Sequence, residues 1–205
     1  MTHPEVLQKL RSIPSYSEEL GLDLTQPEDR FKWFIASILF AKRISADIAK
    51  STFRKFIEAN LTSPKAIVNA GWDRLVQVLD AGGYVRYDFS TASNLLAICT
   101  KLLNQYGDID AIHEHARDGD DLEHRLLEFK GVGPTAVNIF LRELRGIWEK
   151  ANPSISQFSI EVAKRLALPD SYVPEVESQL VRIYLEYCKK RRCEACPVST
   201  HCKHG

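Results

Sequence analysis

The sequence predicts an all-α protein of two domains. Nearly every segment of the 205 residues repeats its apolar side chains at helical spacing, and no segment sustains the two-residue alternation of a half-buried strand. Within residues 122–144 the helical spacing is broken by Lys-Gly-Val-Gly and then resumes, which indicates two short helices joined by a tight turn. We expect this helix-hairpin-helix in a central helical bundle over residues 31–146. Both chain ends, residues 1–30 and 147–205, are expected to fold together as the second domain.

The helices before the hairpin are predicted from their caps and their apolar spacing. Thr25 is a candidate N-cap for a helix that begins at Pro27 and has two acids in its first turn. Gly71 is expected to end a short helix, because glycine commonly follows the last helical residue. His113 and His115 are expected on a solvated loop. The predicted helices span residues 4–10, 27–40, 45–60, 63–71, 72–79 and 90–106.

The region after the hairpin predicts a linker and two further helices. Residues 146–153 form the linker, and Ser156 is expected to N-cap the next helix. Pro174 is predicted to begin the last helix, which leads directly to Cys188.

The charge distribution restricts where a polyanion could bind. The 27 basic and 27 acidic residues balance, so the chain as a whole has no attraction to nucleic acid. From Cys188 to Gly205, however, there are five basic residues and one acid, a net charge of +4, which leaves −4 on the rest. Any nucleic-acid contact must therefore be local, through the tail and a few hairpin groups.

The apolar segments predict a cytoplasmic protein without a membrane span. The longest, residues 31–41, is interrupted by Lys32 and is too short to cross a bilayer, so it is read as a buried helix. The first twelve residues carry no apolar run and do not resemble a signal peptide.

The turn of the hairpin predicts an anion site. Gly131 and Gly133 can adopt backbone angles that other residues resist, and they let the main chain approach a partner closely. Pro134 fits the first helical position, because its missing N–H costs nothing there. The exposed amides of residues 133–136 and the positive end of the helix dipole favour a phosphodiester. A tight corner without a ligand is the alternative that the glycines alone leave open.

The C-terminal cysteines predict a metal centre. Four of the five cysteines lie in the last eighteen residues with the spacing C-x4-C-x2-C-x5-C. Thiolates this close can wrap one metal centre, and a chain without an export signal is an improbable place for disulfides. The spacing leaves an iron–sulfur cluster and zinc both open, with His201 and His204 nearby for zinc, whereas Cys99 is expected in the core. The predicted ligands are Cys188, Cys193, Cys196 and Cys202.

The loop between the first two of these cysteines consists entirely of cations, namely Lys189, Lys190, Arg191 and Arg192. Such a run can be a solvated face, or it can balance the negative charge of a thiolate-ligated cluster. Because the metal would pin both ends of the loop, we expect the cations to be pre-ordered for contacts with phosphate groups.

These features together resemble the helix-hairpin-helix (HhH-GPD) DNA glycosylase superfamily, in particular its endonuclease III-like branch with a C-terminal [4Fe-4S] cluster. The resemblance covers most of the chain and rests on residues 126–138, on the helix that ends at residues 162–166 and on the terminal cysteines. The family spacing is C-x6-C-x2-C-x5-C, so the first gap is two residues shorter here. The resemblance implies a central six-helix barrel, a [4Fe-4S] cluster domain, and base-excision repair of double-stranded DNA in which a damaged or abasic nucleotide is flipped from the duplex. We expect a monomer associated with the nucleoid through DNA.

The resemblance fails at both catalytic positions. The lysine that forms a Schiff base in the bifunctional members is replaced by Thr135, whose hydroxyl cannot form an imine. The aspartate that supports the cationic sugar is replaced by Ser156, which preserves the helix cap and removes the charge. No aspartate lies between Asn138 and Asp170, and the first carboxylate after the linker is Glu161.

Two functions follow from this pattern. One is a DNA glycosylase or abasic-site lyase with an atypical active site, whose catalytic residues are unknown. The other is a non-catalytic sensor of DNA lesions or DNA structure that keeps the hairpin and the cluster.

The resemblance also implies two loops that insert side chains into the distorted duplex. The first contains Lys42 and Arg43, and the second contains Tyr84, Arg86 and Tyr87. Stacking of a tyrosine on a base contributes roughly 1–3 kcal/mol, and packing of the tyrosines against the barrel is the alternative. The predicted DNA-binding residues are Lys42, Arg43, Tyr84, Arg86, Lys130, Gly131, Val132, Gly133, Thr135, Lys189, Lys190, Arg191 and Arg192.

Overall fold

The computed structural model describes residues 3–203, and His204 lies outside them. The described residues form helices and connecting loops, with no strand among them, so the prediction of an all-α chain is confirmed. They divide into two compact units. Leu20–Asn152 forms one, here called the hairpin unit, and the described parts of Met1–Glu19 and Pro153–Gly205 form the other, here called the cysteine unit.

The helices are given in chain order. They are α1 (His3–Arg11), α2 (Tyr16–Glu19), α3 (Pro27–Phe40), α4 (Ala46–Glu58), α5 (Pro64–Ala81), α6 (Asp88–Gln105), α7 (Asp110–His115), α8 (Gly119–Leu127), α9 (Pro134–Arg142), α10 (Gln157–Arg165) and α11 (Glu177–Ile183), the last continued by a π-helical turn over Tyr184–Cys188. Short 3-10 turns cover Asp170–Tyr172, Cys193–Ala195 and Ser199–His201.

Side-chain caps set several of these helix starts. Ser45, Ser63 and Ser156 accept hydrogen bonds from backbone N–H groups in the first turns of α4, α5 and α10. The prediction for Thr25 is wrong, because the residue before α3 is Gln26 and no side chain caps that helix. Pro27 at the first helical position sets the start of α3 instead.

The predicted break at Gly71 is confirmed, because its φ of +73° and ψ of 175° are not helical and α5 is kinked there. Two other helix predictions are corrected by the structure. The last helix begins at Glu177 and not at Pro174. His113 and His115 lie on the short helix α7, and the His113 ring stacks on Trp148 with 4.9 Å between ring centroids.

The core of the hairpin unit is centred on α3, which packs against α4 and α9. Trp33 and Phe34 on α3 are buried, and the Phe34 ring meets Phe140 of α9 edge-on at 5.1 Å. The indole N–H of Trp33 donates to the backbone carbonyl of Phe140 at 3.2 Å, so its polar atom is satisfied inside the core. Burial of each such side chain contributes about 1.5–3 kcal/mol, which holds α9 and the turn before it in place.

The core of the cysteine unit is built from both ends of the chain. Leu10 of α1, Val162 of α10 and Leu180 of α11 are buried in one cluster, together with Val198 of the C-terminal tail. The described part of the tail is therefore packed on this unit, because Val198 belongs to the same core as the helices.

None of the helices in residues 3–203 combines the length and the apolar character needed to cross a bilayer.

Candidate nucleic-acid interface

The two glycines of the hairpin turn have different backbone angles and surroundings. Gly131 has φ +82°, and a Cβ added to it would lie 2.2 Å from the side-chain nitrogen of Asn94 on α6. The positive φ and the contact with Asn94 therefore both disfavour a larger residue at this position. Gly133 has an ordinary extended φ of −109°, and an added Cβ would meet nothing within 4 Å. Of the two glycines, Gly131 therefore uses a backbone angle that other residues resist, whereas no contact among the described residues requires glycine at position 133.

The other turn residues divide into buried and exposed ones. Val132 is buried and its N–H donates to the backbone carbonyl of Phe129 at 3.0 Å, so the predicted DNA contact through Val132 is corrected to an anchoring role. Lys130 and Thr135 are exposed. The N–H groups of Thr135 and Ala136 lie in the first turn of α9, where no side chain caps the helix. Uncapped amides of a first helical turn are groups that an anion can bind, so the predicted anion site stays a prediction here.

The hairpin is held against helix α6 by specific contacts. Besides Asn94 under Gly131, the ammonium of Lys101 lies 3.0 Å from a carboxylate oxygen of Glu128 and 5.1 Å from the centre of the Phe129 ring. These contacts fix the end of α8 and therefore the position of the turn that follows it.

Tyr84, predicted to contact DNA, is instead a core residue. Its side chain is 1 % exposed, and its hydroxyl donates to the backbone carbonyl of Leu39 at 3.0 Å. Burial raises the pKa of this phenol far above its ordinary value. The prediction of DNA contact by Tyr84 is therefore wrong, and the alternative of tyrosine packing against the bundle holds at this position.

The exposed residues of the α5–α6 loop (residues 82–87) are the neighbours of Tyr84. Val85 is 63 % exposed and Arg86 is also exposed, with its guanidinium 5.5 Å from the centre of the Tyr87 ring. Phe89, in the first turn of α6, is 59 % exposed. This loop therefore exposes an apolar side chain, Val85, next to a cationic one, Arg86.

The α3–α4 turn (residues 41–45) lies next to this loop. Lys42 is partly exposed and Arg43 fully so, and both follow Leu39, whose carbonyl binds the Tyr84 hydroxyl. A Cβ on Gly82 would lie 2.3 Å from the Cα of Thr52, so the α5–α6 loop also packs directly on α4. The hairpin unit therefore brings the two predicted loops together at one end of α3 and α4.

Ser156, where the resemblance places a catalytic aspartate, lies against a buried carboxylate. Ser156 is confirmed as the N-cap of α10, and its own N–H donates to a carboxylate oxygen of Glu177 at 2.7 Å. Glu177 is 1 % exposed and was not singled out from the sequence, because it comes from the start of α11, 21 residues away. Glu161, the alternative carboxylate, forms an ion pair with Arg165 one turn along α10.

The four C-terminal cysteines lie at the edge of the cysteine-unit core. Cys188, Cys196 and Cys202 pack against that core, Cys193 is exposed, and all four are free thiols. Burial raises the pKa of the Cys188 thiol, Arg165 opposes this rise, and the other three cysteines add to it. The four thiols are thus close enough to influence one another.

The arrangement of these thiols is not that of a single-ion site. Among residues 3–203, no three His, Cys, Asp or Glu side chains are placed to hold one metal ion. His201, a candidate zinc ligand, lies on the Ser199–His201 turn. The backbone N–H of Lys203 donates to the carbonyl of Arg165 at 3.0 Å, which ties the tail that carries Cys202 to the end of α10.

The basic loop (residues 189–192) is exposed throughout. Its first N–H, from Lys189, donates to the carbonyl of Tyr184 at 2.8 Å, and its last, from Arg192, donates to the carbonyl of Tyr187 at 3.0 Å. Arg191 has φ +53°, so the loop turns back sharply on itself. The backbone is thereby ordered while the four cationic side chains face solvent.

Comparison with known proteins identifies the fold. A structure titled as a trapped endonuclease III–DNA covalent intermediate, an estranged-adenine complex, matches with a TM-score of 0.55 and 16 % sequence identity. The match covers 99 % of this chain and 96 % of that chain. No protein-family model matches the sequence, and no curated protein matches it significantly. The chain therefore has the all-α endonuclease III-like fold over its whole length.

Proposed function

We propose that this protein binds damaged or abasic double-stranded DNA. The contacts would come from the hairpin turn, the α3–α4 turn, the α5–α6 loop and the basic loop. We further propose that the protein is a sensor without glycosylase or lyase activity. The observation that carries the proposal is Gly133. A Cβ at this position would have no neighbour within 4 Å among the described residues, and Gly133 stands beside the uncapped amides at the start of α9. A phosphate that approaches the backbone here accounts for both features.

Two further observations support DNA as the ligand. The matched structure is a complex of endonuclease III with DNA, and the match extends along the whole chain. In addition, the exposed cations occur at the turn, on the loops and in the tail, although the net charge of the chain is zero. Local patches of this kind attract phosphates without requiring a basic protein.

In the proposed interface, the DNA contact first predicted for Tyr84 is assigned to its neighbour Val85. Because the Tyr84 ring is committed to the core, the exposed side chain that can enter a distorted duplex from this loop is that of Val85, with Arg86 placed to contact phosphate. Apolar side chains inserted between base steps stabilise kinked duplexes, and such insertion costs least where a base is missing or unpaired.

The absence of catalysis is inferred from the chemistry at two positions. Thr135 offers no amine for a Schiff base. At Ser156 the nearby carboxylates are already engaged, since Glu177 accepts the Ser156 N–H and Glu161 pairs with Arg165. Loss of one preorganised electrostatic group costs about 3 kcal/mol of transition-state stabilisation, equivalent to a rate reduction on the order of 100-fold or more.

A glycosylase with an atypical active site is the second candidate, and the Glu177 carboxylate is the observation that favours it. It is buried and lies against the residue at the aspartate position. If Glu177 activated water for base hydrolysis, Glu177→Gln would abolish base release while keeping its hydrogen-bond acceptor.

The cysteines are proposed to hold a [4Fe-4S] cluster. The donor set is four thiols at the edge of a packed core, and a cube of iron and sulfide spaces its cysteine ligands more widely than one zinc ion does. When bound, the cluster supplies metal–thiolate bonds that cross-link the tail. The residues Cys188 and Cys193 then fix both ends of the basic loop.

The proposed function is tested by incubation with duplexes that carry oxidised, alkylated, deaminated or abasic sites. We expect binding, no released base, no strand cleavage and no adduct after borohydride reduction. Released base that disappears in Glu177→Gln would establish the glycosylase candidate. A borohydride-trapped adduct would establish a lyase that uses an amine from a residue other than Thr135.

A further inference from the structure

Phe158 is an exposed aromatic residue in an unusual position. It lies in the first turn of α10, two residues after the Ser156 cap, and its N–H donates to the Ser156 hydroxyl at 3.3 Å. Its side chain is 42 % exposed. The cap fixes the backbone of Phe158, so the ring is presented from a rigid position.

The ring of Phe158 forms a parallel stack with Tyr184. The two ring centroids are 4.5 Å apart and the planes differ by only 8°. Tyr184 is partly buried and packs against the core of the cysteine unit, whereas Phe158 carries the large exposed surface. The pair is thus anchored through Tyr184 and extended towards solvent by Phe158, and a flat ring of a ligand can continue such a stack.

The π-helical turn joins this pair to the basic loop. Tyr184 is the first residue of the turn, and its carbonyl accepts the N–H of Lys189, the first residue of the basic loop, at 2.8 Å. A π-helical turn is less common than a continued α-helix and is often found at functional sites. The stacked rings and the four exposed cations are therefore connected through one hydrogen bond within the same unit.

Two acids on the helical segments that carry these rings are paired with partners. Glu186 in the π-helical turn pairs with Arg182 at 3.1 Å and accepts a hydrogen bond from the Tyr16 hydroxyl. Glu161, one turn along α10 from Phe158, pairs with Arg165. The exposed Glu194 follows the basic loop, but the four cations of the loop outnumber it. The net positive charge of this segment favours a ligand with both a planar ring and negative charge.

We infer that the exposed face of Phe158, backed by Tyr184, is a stacking site for an unpaired nucleobase whose backbone phosphates contact the basic loop. An aromatic platform beside a cationic loop is the combination that binds nucleotides outside a paired duplex. The inference rests on the proposed function and extends it, because it names the feature of DNA that the cysteine unit recognises. An apolar surface of a protein partner could stack on the ring, but it would offer no negative charge to the four cations of the basic loop.

The test uses the purified full-length protein and two DNA duplexes. One carries a single unpaired 2-aminopurine, and the other is fully paired around the same fluorophore. The wild-type protein is expected to bind the unpaired form more tightly and to quench its fluorescence by stacking. Phe158→Leu removes the ring while keeping an apolar side chain, and it should lose the quenching and about tenfold or more of the preference.

Two variants control this result. Phe158→Trp retains a planar ring and should retain both quenching and preference, which also shows that the position tolerates substitution. Tyr172→Leu removes another exposed aromatic residue of the same unit and should behave as wild type. Circular dichroism of each variant verifies the fold.

The outcomes separate this inference from the proposed function. If the wild type binds both duplexes and Phe158→Leu keeps the wild-type preference and quenching, the stacking site is refuted and DNA binding stands. If the wild type binds neither duplex at low ionic strength, the proposed function fails, and the inference fails with it.

Discussion

The hydroxyl of Tyr84 donates a hydrogen bond to the backbone carbonyl of Leu39 at 3.0 Å inside the hairpin unit. This bond joins the α5–α6 loop to the end of α3, just before the turn that carries Lys42 and Arg43. Two loops that are distant in sequence are thereby held next to each other. Tyr84 is buried and cannot contact DNA. Its role in the interface is indirect, because its hydrogen bond fixes the position of the loop that carries Val85 and Arg86.

Tyr84→Phe is expected to lower the free energy of unfolding by about 1 kcal/mol, because the buried hydrogen bond from the Tyr84 hydroxyl to the Leu39 carbonyl is lost. DNA affinity in conditions where the variant is folded should change by less than about twofold. Urea unfolding and DNA titrations measure the two quantities, with Tyr87→Phe as the matched control at a partly exposed tyrosine. Unchanged stability together with a large loss of affinity would restore a direct DNA contact for Tyr84.

The two hairpin glycines provide a matched pair of substitutions. Gly131→Ala should destabilise the protein by about 1–3 kcal/mol, because it combines a positive φ with a clash against Asn94. Gly133→Ala should cost less than about 1 kcal/mol, since it meets nothing and only alters the residue before α9.

The loss of DNA affinity should show the opposite order: under conditions where both variants are folded, Gly133→Ala should lose more affinity than Gly131→Ala. Gly133→Ala is expected to weaken affinity about tenfold, because the new methyl group stands where a phosphate approaches the amides. If Gly133→Ala binds DNA as wild type does, the hairpin is a structural corner only.

The basic loop should contribute to the salt dependence of binding. Lys190→Ala is expected to weaken DNA binding and to reduce the slope of log K against log salt by about 1 for one lost phosphate contact. Lys190 is a better target than Arg191, whose φ of +53° adds a backbone effect to any substitution. Lys65→Ala removes an exposed lysine of the hairpin unit that is not assigned to the interface. Equal slopes in the two variants would exclude the basic loop from the phosphate contact.

The cysteines should bind iron and sulfide when the protein is purified without oxygen. The preparation is expected to be brown, with broad visible absorption that dithionite bleaches. Cys196→Ser should lose most of this absorption, because it removes one of four ligands. Cys99→Ser should keep it, since Cys99 lies in the hairpin-unit core, where burial raises the pKa of its thiol to about 12. A colourless wild type that contains zinc would contradict the cluster.

Local signals in the sequence were sufficient for many helix boundaries. Pro27 and the serines at 45, 63 and 156 act within one turn of their own helix, so adjacent residues are enough to predict them. Thr25 failed because a residue of capping type is not always the one that precedes the helix. The hairpin was predictable because the change from helical spacing to Gly-Val-Gly and back is itself local.

Contacts between distant residues could not be read in this way. Tyr84 and Val85 are neighbours in one loop, and only the hydrogen bond to Leu39 decides which of them is buried. Glu177 reaches Ser156 from another helix, and Phe158 meets Tyr184 across a similar separation. Neither pair leaves a pattern in the sequence, because each depends on how α10 packs against α11 and its π-helical extension.

The most direct measurement is the affinity of the wild-type protein for a duplex with one stable abasic-site analogue, compared with the intact duplex of the same sequence. The titrations are repeated between about 50 and 200 mM salt. We expect tighter binding to the abasic duplex at every salt concentration, and affinity for both duplexes that falls as salt rises. Equal affinity for the two duplexes, or no binding at the lowest salt concentration, would contradict the account.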